Sequence, residues 1–117
     1  MGRNNEAGAW GERLACRYLR RRFYRILATG YSCRFGEIDI IARKRNLLVF
    51  VEVKYRENDK NGHPLQAVSV SKQRTISKCA FYYMQKYKVQ EESVRFDVVG
   101  ILGDEIQVIQ NAFDFIV

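Results

Sequence analysis

The sequence predicts an α/β fold in which a mixed sheet is flanked by helices, in the element order αβββαββ. Three observations predict it. Two stretches, 6–22 and 71–87, place apolar residues at the three-to-four spacing of a helix face. Five others alternate or run apolar and are rich in β-branched residues, as strands are. The second helix separates the third strand from the fourth, and a crossover of that kind permits two strands to pair in parallel.

In chain order, Ala7, Trp10, Leu14 and Tyr18 form the stripe of the first helix, which Asn4 or Asn5 can cap. Gly8 and Gly11 stand inside it, each costing roughly 0.8–1 kcal/mol against Ala. Glycines there let the backbone approach either the sheet or a substrate. Residues 24–31 form the first strand, ending at Thr29-Gly30. The stretch 57–64, ENDKNGHP, is a polar loop, and 65–70 a short helix. Ser71 caps the second long helix, whose core stripe is Ile76, Ala80, Tyr83 and Tyr87. Val94 to Leu102 and Glu105 to Phe113 are the last two strands, joined by Gly103-Asp104.

The centre of the chain is the hairpin from Gly36 to Arg56: GEIDII, a short polar turn at Lys44-Arg45-Asn46, then LLVFVEVKYR. With the turn symmetric about the Arg45/Asn46 bond, Asp39 faces Glu52 and Glu37 faces Lys54. Residues so opposed stand on one face with Cβ atoms roughly 4.5–5.5 Å apart. Glu52 and Lys54, two apart, share that face as well. Two neighbouring carboxylates repel, and burying them is unfavourable unless a cation compensates. A hard divalent cation suits such a pair, because Mg²⁺ takes one or two carboxylates together with water and phosphate oxygens. The alternative is an ordinary cross-strand Glu–Lys pair on a solvated face. Against it, Glu52 lies within Leu48 to Val53, a run apolar on both faces, as in a covered central strand.

Asp39 followed by Glu52-Val53-Lys54 on the next strand resembles the D…ExK signature of the PD-(D/E)XK nuclease superfamily. The words GEIDII and FVEVKYR, with Gly8-Ala9-Trp10-Gly11-Glu12 before and Arg95-Phe96-Asp97 after, resemble the small bacterial YraN-like family. That family is regarded as a set of predicted endonucleases, distantly similar to archaeal Holliday-junction resolvases. The resemblance runs from about Gly8 to Phe113. It implies one restriction-endonuclease-like domain over residues 1–117 and a Mg²⁺- or Mn²⁺-dependent nuclease acting on DNA, branched or structured DNA included. Asp39, Glu52 and the Val53 carbonyl would hold the metal. Lys54 would orient the attacking water or neutralise the transition state. Glu12 matches the glutamate that often reaches the metal site from the first helix; otherwise it is an exposed side chain pairing locally. Lys72 matches the lysine that opens the family's second helix, where phosphate is favoured.

Composition agrees with a polyanionic partner. The chain carries 20 Lys+Arg against 13 Asp+Glu, a net charge of +7 and a pI near 9.5. The first 25 residues alone hold seven Arg and two Glu. Arg17, Arg20 and Arg21 are candidates for sequence-independent backbone contact; the alternative is a solvated face. Arg34 and Arg56 flank the acidic patch and hold a scissile phosphate or are plain strand-end charges. Cys16, Cys33 and Cys79 are widely spaced with no CxxC, so they form neither a disulfide framework nor a zinc site. Cys16 and Cys79 read as small core residues. A single histidine, His63, excludes chemistry that needs two. No run approaches a membrane span and no apolar leader opens the chain, so a cytoplasmic protein without a membrane partner is expected. The expected assembly is a monomer or a C2 homodimer formed through Phe81, Tyr82 or the apolar run 113–117; that run alternatively packs on its own core. Two other readings of function stand beside the nuclease: a non-catalytic nucleic-acid-binding module of the same fold, and a structural protein whose acids form a salt-bridge network. Glu37 and Gln66 receive no role, and Asp97 a structural hydrogen-bonding one.

Overall fold

The structure, a computed structural model, describes residues 6–58, 60, 62, 68–89 and 93–116, without the side chains of residues 6 and 7. Asn4, Asn5, His63, Gln66 and the first part of the short helix expected at 65–70 lie outside the described residues; Val68 and Ser69 are not helical. Seven elements follow in the expected order: α1 (Glu6–Arg21), β1 (Arg25–Cys33), β2 (Gly36–Lys44), β3 (Leu47–Arg56), α2 (Val70–Lys86), β4 (Ser93–Leu102) and β5 (Glu105–Phe113). They build a mixed sheet in the order β1-β2-β3-β4-β5. The β3/β4 pair is parallel, the consequence of α2 crossing between them, and the other three pairs are antiparallel.

Each helix covers one face. Ala15, Cys16 and Leu19 of α1 pack on Ile40, Ala42, Val49, Val51, Val99 and Ile101. Ile76, Cys79, Ala80 and Tyr83 of α2 pack on Ile38, Ile41, Leu48, Phe50 and Phe96. Leu48 to Val51 are therefore buried on both sides, which is why β3 reads as a continuous apolar run. Cys16 and Cys79 are core residues, as expected. Gly11 shows which surface the α1 backbone approaches: a Cβ there would stand 3.0 Å from the Cβ of Tyr55, so the glycine seats the helix on β3.

Local chemistry sets the element ends. Phe23 adopts a left-handed φ of 69° at the end of α1, with Tyr24 N–H donating to Leu19 C=O at 3.1 Å and Phe23 N–H to Arg20 C=O at 3.0 Å. That is the paired hydrogen bonding of a Schellman end, and it delays the strand from Tyr24 to Arg25. Ser69, rather than Ser71, caps α2: its hydroxyl accepts the Lys72 N–H at 3.1 Å. Tyr87 ends the helix instead of continuing its buried stripe; it is 55% exposed and rests on the Tyr83 ring. The C-terminal run packs back on its own core, with Phe113 and Phe115 each 4.9 Å from the Phe96 ring and the Ile116 N–H donating to the Ser77 hydroxyl at 3.0 Å. Among the described residues no helix is long and apolar enough to cross a membrane.

The turn between β1 and β2 is clamped to α2. Gly36 has φ of 150°, and a Cβ there would lie 2.6 Å from Thr75 Cγ2. Gly36→Ala is expected to lose on the order of 2 kcal/mol, from backbone strain and overpacking together. Adding Thr75→Ser, which removes the clashing methyl group, should restore part of it. Urea midpoints of wild type and the two variants measure both effects; an unchanged midpoint for Gly36→Ala would refute the clamp.

Candidate functional site

Asp39 lies where the ladder between β2 and β3 ends. That ladder runs from Lys44↔Leu47 to Ile40↔Val51, which is the register of a turn symmetric about Arg45/Asn46. One step further, Asp39 Oδ2 accepts the Val53 N–H at 2.8 Å. A side-chain oxygen here serves a strand donor that a neighbouring carbonyl would otherwise serve. Glu37 does not reach Lys54 through this ladder; its carboxylate accepts the hydroxyl of Ser32, its partner on β1, at 3.2 Å.

Glu52 points to the α2 face, because its neighbours Val51 and Val53 pack on the α1 side. Its side chain is 11% exposed, and its Oε2 is 3.6 Å from Lys72 Nζ. The Asp39 carboxylate neighbours Glu52 and favours its protonated form. Burial first, then the Asp39 charge, push the Glu52 carboxyl up to about 7; Lys72 and, after it, Lys54 oppose that rise. Two expected partners are thus brought together as Asp39 and Glu52, with Lys54 in electrostatic reach. The first cation at Glu52 is nevertheless Lys72, expected from the sequence only as a phosphate contact. No linear signal links Glu52 to Lys72, since α2 brings them together only after the chain has left the sheet and returned.

The remaining candidates are distributed elsewhere. Glu12 sits on α1, the helix of the opposite face, with a buried Oε2. Among the described residues no group of three or more His, Cys, Asp or Glu could hold a metal ion. Glu12, Arg13, Arg17, Arg20 and Arg21 line a groove of about 550 Å³ that runs from α1 to Thr29 of β1. Arg34 occupies the β1–β2 turn, 4.9 Å from the Phe35 ring centre. Arg56 is exposed at the end of β3, where its carbonyl accepts the Gly103 N–H. Asp97 is buried on the α1 side and structural: it takes a two-pronged contact from Arg95 at 2.8 Å and the Asn111 N–H at 3.0 Å. Cys33 and Cys79, 46 positions apart, are free thiols whose sulfurs touch at 3.5 Å. Burial and the neighbouring thiol push Cys79 up to about 12.

Two acidic side chains with hard oxygen donors, one fixed by a backbone N–H and the other under-compensated in charge, suit a divalent cation that keeps part of its water. Cysteine and histidine donors, which softer metals favour, are absent from this pair.

Residues 11–101 match a family model described as "Uncharacterised protein family UPF0102". A "UPF0102 protein" of Lachnoclostridium phytofermentans is 49% identical over 108 residues, covering 92% of either chain. Another, from Syntrophus aciditrophicus, is 46% identical and covers 97% of this chain and 93% of its own. A third, from Thermodesulfovibrio yellowstonii, is 45% identical, with 92% and 96% covered.

The carboxyl pair makes a signed prediction. Folded Glu52 holds its proton to about pH 7, against 4.5 for the ordinary group. The folded state binds the extra proton between those values, so the stability this adds is complete below the lower value and lost as pH rises through 7. At pH 8, without divalent metal, Glu52→Gln should be more stable than wild type by on the order of 2 kcal/mol. Asp39→Asn keeps an oxygen for the Val53 N–H, removes the repulsion and should shrink the same pH dependence. Thermal melts in chelator from pH 4 to 8 measure this; three identical profiles would contradict the coupling.

Proposed function

The chain belongs to the uncharacterised family UPF0102, and on the Asp39–Glu52 pair we propose that it is a divalent-metal-dependent phosphodiesterase acting on DNA. The observation that carries this reading is the convergence of two repelling carboxylates in a largely buried position, with two lysines beside them. A fold that needed only stability would gain by removing one acid. Asp39, Glu52 and the Val53 carbonyl would hold Mg²⁺ or Mn²⁺. The cation, when bound, offsets phosphate charge and lowers the pKa of water.

The chain's own groups then have separable tasks. The Val53 N–H holds Asp39 in one orientation. Glu52, which burial and Asp39 hold toward its protonated form, would serve as an oxygen donor once a cation compensates its charge. Lys54, on the same face of β3, orients water or stabilises charge developing on phosphate oxygens. Lys72 comes from the start of α2 and exchanges its Glu52 contact for a phosphate oxygen. Arginines of α1 contact phosphates further along, on the other side of the sheet, so the nucleic acid would have to pass around a sheet edge to meet both regions. The superfamily likeness of Asp39…Glu52-Val53-Lys54 supports the same reading.

One observation favours a second reading. Lys72 already stands 3.6 Å from Glu52, as it would in a nucleic-acid clamp that does not cut. Incubation of nicked, single-stranded and four-way-junction DNA with Mn²⁺ or Mg²⁺ separates the two. The expected result is cleavage that chelator abolishes and that Asp39→Asn lowers at least about a hundredfold, with metal-free DNA binding retained. Mn²⁺ should also raise the melting temperature of wild type and not of Asp39→Asn. DNA binding without any cleavage would establish the clamp instead. Changing Arg17, Arg20 and Arg21 together to Gln should flatten the slope of log affinity against log salt by about 2–3. An unchanged slope would make that cluster a solvated face.

A further inference from the structure

The surface of α2 beyond Lys72 combines positive charge with exposed aromatic rings. The helix carries Lys72, Arg74, Lys78 and Lys86 and no acidic residue. Tyr82, 37% exposed, meets Phe35 of the β1–β2 turn, 38% exposed, at a ring separation of 6.2 Å and an angle of 73°. Two cations stand over the Phe35 ring: the Arg34 guanidinium at 4.9 Å from its centre and the Lys78 ammonium at 6.0 Å. Phe35 is held in place, because the adjoining Gly36 is wedged against Thr75 and Cys79 of the same helix.

We propose that Phe35 and Tyr82, flanked by Arg34 and Lys78, form a stacking platform for unpaired nucleobases. On this view the substrate presents single-stranded nucleotides beside the phosphate to be cut. The inference rests on the phosphodiesterase reading for the cut itself and on the platform alone for the binding. Its chemistry follows from the parts. An aromatic ring offers every base a π-face regardless of sequence, and neighbouring cations take the flanking phosphates. An uninterrupted duplex keeps its bases stacked inside and cannot use the rings. An acidic protein partner would explain the cations but not rings paired edge to face beneath them. Geometry sets the span: Lys72 and Tyr82 are ten residues apart on α2. That is about 15 Å of helix, on the order of four nucleotide steps of stacked strand. One strand can therefore reach from the platform to the carboxylates.

Binding in chelator tests the platform apart from cleavage. Three fluorescently labelled probes of equal length are used: an oligothymidine, an abasic strand of the same charge, and a blunt duplex. Wild type should prefer the oligothymidine to the abasic strand by about tenfold or more. Phe35→Leu and Tyr82→Leu, which keep bulk but remove the π-face, should each lose most of that preference while abasic binding stays the same. Circular-dichroism melts confirm that each variant is folded, and Tyr82→Phe should restore the preference. Equal affinity of wild type for base-bearing and abasic strands would overturn the proposal. So would leucine variants that keep the preference, or light scattering in which the rings pair two copies of the chain while base preference is indifferent to their removal. Base preference without any cleavage would leave the platform standing and remove the phosphodiesterase. Cleavage without base preference would do the reverse.

Discussion

Asp39 has to satisfy a backbone donor and face another acid at the same time. Its Oδ2 takes the Val53 N–H where the β2–β3 ladder stops, and its charge helps hold the Glu52 proton in place to about pH 7. Remove the carboxylate and Val53 loses an acceptor; remove the neighbour and the repulsion disappears. The fully buried run of β3 stops at Val51, the residue before Glu52. The constraint makes the pair responsive to a cation, since any positive charge reaching it lowers the free energy of the doubly ionised form.

The rest of the molecule supplies that charge unevenly. The α1 side carries the arginine groove, with Glu12 among its cations, and a buried Arg95–Asp97 pair that also ties Tyr24 to the sheet through a 2.8 Å hydrogen bond. The α2 side carries Glu52, Lys72 and the aromatic surface. Parallel pairing of β3 with β4 makes this division possible, because it requires the chain to cross the sheet through α2 and so delivers Lys72 to Glu52. The lysine two residues after Glu52 and the lysine twenty positions on serve one carboxylate from different directions.

Rigidity comes from the contact of the β1–β2 turn with α2. Gly36 against Thr75, the touching thiols of Cys33 and Cys79, and Tyr31 packed edge-on against Tyr83 at 5.2 Å join the end of β1 and the start of β2 to α2. Asp39 stands three residues beyond that clamp. Its position relative to Lys72 is thus fixed through packed side chains.

Element order, the hairpin register and the meeting of Asp39 with Glu52 were determined by the sequence itself. These depend on neighbours in the chain: a period of two or of about 3.6 assigns each element, and a two-residue turn fixes the opposed pairs from Lys44↔Leu47 to Ile40↔Val51, beyond which the ladder stops and Glu37 turns to Ser32. The apolar run around Glu52 likewise announced a strand covered on both faces. Tertiary structure alone decided that Lys72 is the first cation at Glu52, that Glu12 lines one groove with the arginines of α1, that Cys33 touches Cys79, and that Phe35 meets Tyr82. It also moved the α2 cap to Ser69, since Ser69 and Ser71 both have the chemistry and only the path into the helix selects one. Such contacts join residues far apart in the chain. They are set by the angle and depth at which a helix seats on a twisted sheet, which side-chain volumes across the whole core determine together.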